Sequence, residues 1–309
     1  MKMLILGSSG LIGSNALKFF QHNQEFEILS STREDLDLRD GKAVGNYFKS
    51  IKPEIVVFAA ANVGGIGLNL LKPSEMLLDN IQIATNVFRA SLDSGVSKLI
   101  NFGSSCMHPV DCAQPMETKF LGSGPTELSS QFYSSYKLTS WKMVEAINKQ
   151  FGLKWITLIP STIFGPNDNF SLTNGHVISS LIKKFSDAKS QNFRKVSLWG
   201  DGSPLREFIY VDDLLSAINF IICNNISETT INIGTGIELT IDELSKMIAS
   251  EVGYEGKIDW DSSKPNGSPR KLLDSSFIQH LGWMPKVSLE KGIALTHEWF
   301  LNSKNYLRI

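Results

Sequence analysis

Met3-Leu4-Ile5-Leu6-Gly7-Ser8-Ser9-Gly10-Leu11-Ile12-Gly13 passes from an apolar run into three glycines spaced by two residues, then into a helical pattern reaching Phe20. Lys2 to Leu6 is expected as a strand and Leu11 to Phe20 as a helix. Glycines at that junction let the backbone approach a pyrophosphate, and the helix amides and positive dipole end attract its charge. A tight turn without a ligand uses the same residue type, and the chain holds 24 glycines. The motif therefore takes its meaning from its surroundings.

Outward from it, short runs rich in Ile, Val, Leu and Phe alternate with longer amphipathic segments. Strands are expected at Phe26–Ser30, Glu54–Phe58, Lys98–Phe102 and Trp155–Ile159, and helices at Gly41–Ser50, Met76–Gly95 and Tyr133–Phe151. Strands covered on both faces read this way, so the expected class is α/β, a doubly wound parallel sheet of the Rossmann type. Beyond residue 165 the pattern loosens. Pro166–Asn174 reads as loop, His176–Ala188 as helix, Val196–Trp199 as strand, Ile241–Val252 as a helix capped by Thr240, and Lys264–Arg270 as loop. This suggests a cofactor domain of 1–165 plus about 207–235, and a smaller, discontinuous C-terminal substrate domain of about 166–206 plus 236–309.

Thirty Lys and Arg against 31 Asp and Glu leave no global field for nucleic acid or anionic lipid. Three cysteines, at 106, 112 and 223, make neither a disulfide framework nor a metal pattern. No apolar stretch approaches the roughly 18–20 residues of a membrane helix. The longest, around Leu214–Cys223, is broken by Ser216 and Asn219. A soluble protein of the reducing cytoplasm is expected, with no metal.

The second strand ends in Ser30-Ser31-Thr32-Arg33, where an NAD-selective site places a carboxylate. A neutral and then cationic tip suits a 2′-phosphate, hence NADP(H), unless Arg33 merely pairs with Glu34 and Asp35. Candidate cofactor contacts are Gly7, Ser9, Gly10, Leu11, Ile12, Gly13, Arg33, Asp37, Leu38 and Ala60. Tyr133 and Lys137, four apart, share a helix face. A neighbouring ammonium and the cationic nicotinamide are expected to lower the phenol's pKa from about 10, so that it works as acid or base near neutrality. Gly103-Ser104-Ser105-Cys106 ends the fourth strand, where carboxyl-end loops line the ligand crevice.

These motifs resemble the extended short-chain dehydrogenase/reductases, and within them the GDP-L-fucose synthase family, nearly end to end. The likeness includes Gly7–Gly13; Val63-Gly64-Gly65-Ile66; Gly103–Cys106; Tyr133 with Lys137; Phe164-Gly165-Pro166-Asn167-Asp168-Asn169-Phe170; His176-Val177-Ile178; Trp199-Gly200 through Arg206-Glu207-Phe208; and Asp259–Pro265 continuing to Pro269-Arg270-Lys271. The resemblance implies epimerisation at C3 and C5 of GDP-4-keto-6-deoxy-D-mannose, with Cys106 as base and His176 as acid. Reduction of C4 by NADPH follows, with Tyr133 protonating the oxygen, Ser104 holding it and Lys137 tuning the phenol. Tyr133, Lys137 and His176 also count as cofactor contacts. Lys184, Trp199, Arg206 and Arg270 are the implied substrate contacts, with Lys271 flanking the same crevice, and a homodimer is the expected assembly.

Without the family, Cys106 reads as a small core residue, His176 as a helix-start histidine, and Arg270-Lys271 as surface charge. Trp199 either packs on guanine or fills the second domain's core. Cys112 and Cys223 are expected to be structural. The sequence also departs from the family: Met107-His108-Pro109 replaces Ile-Tyr-Pro, Glu127–Phe132 differs before the tyrosine, Pro160-Ser161-Thr162 replaces Pro-Thr-Asn, and Asn62 replaces a lysine. The resemblance implies that all four surround the sugar. They keep open a C4 reductase of another 4-keto sugar, such as a GDP-6-deoxy-heptose, with little or no epimerisation. A noncatalytic NADP(H)-binding regulator on the same fold is a third reading.

Overall fold

A computed structural model describes residues 1–64, 71–264, 266–303 and 307. Gly65 and Ile66 of the Val63–Ile66 motif, and Pro265, lie outside the described residues. In chain order the elements are β1 Lys2–Leu6, α1 Leu11–Phe20, β2 Glu27–Ser31, α2 Gly41–Ile51, β3 Ile55–Phe58, α3 Pro73–Asp93, β4 Lys98–Phe102, α4 Gln131–Phe151, β5 Ile156–Pro160, β6 Thr162–Phe164, α5 Val177–Ser190, β7 Lys195–Trp199, β8 Leu205–Tyr210, α6 Val211–Cys223, β9 Thr230–Ile233, β10 Glu238–Thr240, α7 Ile241–Val252, β11 Lys257–Asp261, β12 Arg270–Lys271, α8 Ser276–His280 and α9 Leu289–Asn302.

Six strands pair in parallel in the order β2-β1-β3-β4-β5-β9. The order reverses between β1 and β3, which opens a crevice beyond their carboxyl ends. Alternate residues of β1 serve different layers. Met3 and Ile5 join one buried cluster with Ala16 and Phe20 of α1, while Leu4 and Leu6 join another with Val44 and Phe48 of α2. Packing of α2, α3 and α4 side by side covers that second face, and α1 with α6 covers the first. Both faces are dry, so the strands carry apolar residues at consecutive positions. The apolar run around Leu214–Cys223 lies in α6, an internal layer, and among the described residues no helix is long and apolar enough to cross a membrane.

The carboxyl-terminal part builds a second sheet, β10-β8-β12 with β6 on β8, and a β7-β11 pair. Its helices α5, α7 and α9 pack on one another, and their apolar residues are continuous with the first layer's core. The Glu207 carboxylate, 1 % exposed, accepts hydrogen bonds from Gly236 N at 2.7 Å and Leu273 N at 3.1 Å. That satisfies a buried acid and fixes β8 against the strand that carries Lys271. Thr240 caps α7 reciprocally with Glu243, as the sequence suggests. Cys112 packs against a small buried cluster around Met107 and Trp141. Cys223 is exposed at the end of α6, so the expectation of a structural role for it is not met.

Candidate active site

At the first turn, Gly7 has φ +84°, and a Cβ on it would stand 2.7 Å from Ala60 N; one on Gly13 would run into the Gly7 carbonyl oxygen. The loop closes with Gly10 N donating to Gly7 O at 3.0 Å. Gly10 occupies the N-cap of α1 without a side-chain cap, and no acidic residue sits in the first turn. Free amides, dipole and close backbone approach together fit a dinucleotide pyrophosphate beside Ser9, Leu11 and Ile12. At the tip of β2, Asp35 turns back to accept from Thr32 N and Oγ1 at 2.9 and 2.7 Å. Asp37 pairs with Arg39 at 2.7 Å, and hydrogen bonds from that guanidinium hold its carboxyl down to about 2. Among the described residues Arg33, which is exposed, forms no ion pair with Glu34 or Asp35, and its charge adds to the lowering of Asp37. Leu38 is buried and its carbonyl accepts from Asn86, so its side chain serves the core.

Beyond β4, Ser104 caps a single 3-10 turn, Ser105–Met107, accepting from Cys106 N at 3.2 Å. Gly103 is needed there because a Cβ would stand 2.9 Å from Met107 Sδ. Tyr133, which α4 supplies, lies close enough to Ser104 for the hydroxyl to favour the phenol's charged form. One turn on, Lys137 is 5 % exposed and donates to Phe102 O at 2.5 Å, with its ammonium 5.6 Å from the Tyr133 ring centroid. Burial lowers this ammonium to about 7. Within the chain itself, burial first, then the nearby Cys106 and Tyr136, push the Tyr133 phenol above its ordinary value. Desolvation disfavours the charged form of a group that is neutral when protonated. The phenol therefore holds its proton at neutral pH, the state a proton donor needs.

Cys106 lies in the same cluster, with Lys271 Nζ 3.6 Å from its Sγ. Glu127 accepts from Lys271 at 2.9 Å, Ser268 at 2.8 Å and Ser129 at 2.9 Å. Burial would raise the Glu127 carboxyl, yet Lys271 and these donors hold it down to about 2. Arg206 and Lys271 are register partners on β8 and β12, and a Cβ on Gly267 would stand 3.4 Å from Arg206 Nη2. Strand alternation turns Arg270 the other way, where it pairs with Glu238 at 2.6 Å. Of the two neighbouring cations, Lys271 rather than Arg270 is brought to the cluster. Glu127 was missed as a site residue, because its partner stands 144 positions away.

His176 is the N-cap residue of α5, but its side chain makes no cap. Its Nδ1 instead stands 3.2 Å from Asp168 Oδ1. The 165–169 segment is tied to the first glycine turn through Asn15 Nδ2 on Pro166 O at 2.8 Å and Asn167 Nδ2 on Ser9 O at 3.4 Å. On β7 exposure alternates, and Trp199 is 65 % exposed with Lys264 Nζ 5.9 Å from its ring centroid. That exposure excludes a core role. Lys184 donates to Ser197 O at 2.6 Å on the same strand, and burial lowers its ammonium.

The pattern of the NAD dependent epimerase/dehydratase family matches residues 3–234. The chain belongs to that family. A probable GDP-L-fucose synthase of rice (Oryza sativa subsp. japonica) is 41 % identical over 303 residues, 98 % of this chain and 92 % of the relative. Among solved structures, a GDP-6-OMe-4-keto-L-xylo-heptose reductase from C. jejuni superposes with TM-score 0.90 at 29 % identity, over 97 % of each chain. A GDP-L-fucose synthetase from Naegleria fowleri bound to NADP superposes with TM-score 0.91 at 26 % identity, over 100 % of this chain and 95 % of the other. All three match across both sheets, so the likeness reaches beyond the cofactor turn.

Proposed function

We propose that the protein is an NADPH-dependent nucleotide-sugar 3,5-epimerase and 4-reductase that converts GDP-4-keto-6-deoxy-D-mannose to GDP-L-fucose or a close relative. One observation carries this reading: the Cys106 thiol, 3.6 Å from Lys271 Nζ, sits in the turn that Ser104 caps and lies near Tyr133. A reductase alone has no use for a second proton-transfer group. The 4-keto group acidifies the protons on C3 and C5. Cys106 removes such a proton, beside the Lys271 ammonium, and His176 returns one to the opposite ring face. When bound, NADPH supplies the hydride that reduces C4. Tyr133 gives its proton to the C4 oxygen while Ser104 holds that oxygen by hydrogen bond, and Lys137 orients the phenol's helix face against the Phe102 carbonyl.

Arg206 and Lys184 are the proposed holders of the diphosphate, and the exposed Trp199 offers guanine a face to stack on. Residues about 166–206 and 236–309 form the nucleotide-sugar unit in this account, and the enzyme works as a cytoplasmic homodimer. The altered residues around the sugar, with the heptose-reductase likeness, favour one second reading: a C4 reductase of a GDP-4-keto-6-deoxy-heptose with little or no epimerisation. Comparing kcat/KM for hexose and heptose substrates by NADPH absorbance at 340 nm tests the choice. A favoured hexose supports the first reading; a favoured heptose supports the second.

A further inference from the structure

We infer that Asp168 is the positioning residue for His176, holding its imidazole so that Nε2 is the proton-transfer atom. The inference rests on the assignment of His176 as the acid and deepens it. Asp168's side chain is 3 % exposed, and among the described residues its ion-pair partner is His176, whose side chain is 42 % exposed. A carboxylate that deep needs full hydrogen bonding. It accepts from Asn169 N at 2.7 Å on Oδ1 and from Ser179 Oγ on Oδ2. His176 Nδ1 faces the remaining capacity of Oδ1.

An ionised carboxylate only accepts, so Nδ1 must carry a hydrogen. The neutral ring then has its lone pair on Nε2, on the side away from Asp168, and the protonated ring has a transferable proton there. The same carboxylate stabilises the imidazolium before transfer and dictates the tautomer left after it. The imidazole is half open to the crevice while its anchor is closed off, as a group that meets substrate and is held from behind requires. Asn167, next to Asp168, touches the glycine turn at Ser9, so the pair is registered to the cofactor side of the crevice.

The test uses the intact enzyme and four forms: wild type, Asp168→Asn, Ser179→Ala and His176→Gln. ¹⁵N-detected histidine NMR reads the tautomer, and product analysis after reaction in D₂O reads inversion and ring exchange separately. In wild type the neutral His176 ring is expected as the Nδ1–H tautomer. In Asp168→Asn that preference is lost and the inverted share of product falls about 10- to 100-fold, while deuterium exchange driven by Cys106 persists. Ser179→Ala keeps the carboxylate and is expected to change inversion less than tenfold, which guards against a folding defect in the first variant. An Nε2–H tautomer in folded wild type overturns the inference. So does inversion that is lost in His176→Gln but intact in Asp168→Asn. Full inversion in His176→Gln overturns the acid assignment itself.

Discussion

Lys271 crosses 165 positions of sequence to place its ammonium 3.6 Å from the Cys106 sulfur, while Glu127 holds the same ammonium from the other side at 2.9 Å. The lysine enters the site because β12 pairs with β8 in a register that sets Lys271 beside Arg206. A cation so placed favours negative charge wherever the proton-abstracting atom develops it. The carboxylate keeps the cation charged in a largely buried setting.

Replacing Lys271 by Met leaves Glu127 partly buried without its cation, held by the Ser268 and Ser129 hydroxyls alone. Stability is expected to fall by about 1–3 kcal/mol, and epimerisation to fall with it. The double variant Lys271→Met/Glu127→Gln should recover much of the stability and none of the epimerisation. Urea midpoints with ring-exchange rates check this. Recovery of both would mean that Lys271 serves folding alone.

Tyr133→Phe removes the proton donor but keeps the ring. NADPH oxidation should drop about 10²- to 10⁴-fold, while ring deuterium exchange in D₂O continues. Equal loss of both activities would place Tyr133 in a common structural role.

Acid stability follows from Glu127. Its folded carboxyl is lowered from 4.5 to about 2, with Lys271 overcoming burial. A carboxyl with a lowered folded pKa stabilises fully above its unfolded value, and the contribution fades as pH falls through the folded value. The wild type should thus lose stability relative to Glu127→Gln between pH about 4.5 and 2. Parallel stability curves across that window would contradict the pairing.

Gly13→Ala drives a methyl group into the Gly7 carbonyl and shifts α1 from the turn. NADPH affinity should weaken about tenfold or more, equal to about 1.4 kcal/mol. Fluorescence titration reads it, and unchanged affinity would separate the turn from the cofactor.

The sheet was legible because its strands are short, Ile- and Val-rich and covered on both faces, as with Ile55–Phe58, which is buried at every position. Strand β12 was not, because its two residues follow Pro269 in a loop-like stretch and gain their ladder only from β8. Its alternation decides that Lys271 and not Arg270 faces Cys106. Ser104, Tyr133 and Lys137 were readable from spacing on a strand end and a helix, and Cys106 only through the family resemblance. Their electrostatics were not. Burial of the Tyr133 phenol, which no local pattern reports, raises it within the chain itself. Trp199 was left open between core and ligand face until β7's alternation put it outside. Asp168 and His176, eight residues apart across a turn, follow no helical or strand period, so only the folded loop brings them together.

The most direct test is reaction of the purified protein with GDP-4-keto-6-deoxy-D-mannose and NADPH in D₂O, with deuterium located in the product by NMR. The account predicts NADPH oxidation with label at both C3 and C5 in the wild type, and loss of that label in Cys106→Ser. Oxidation without ring label in the wild type would contradict it and leave a simple 4-reductase.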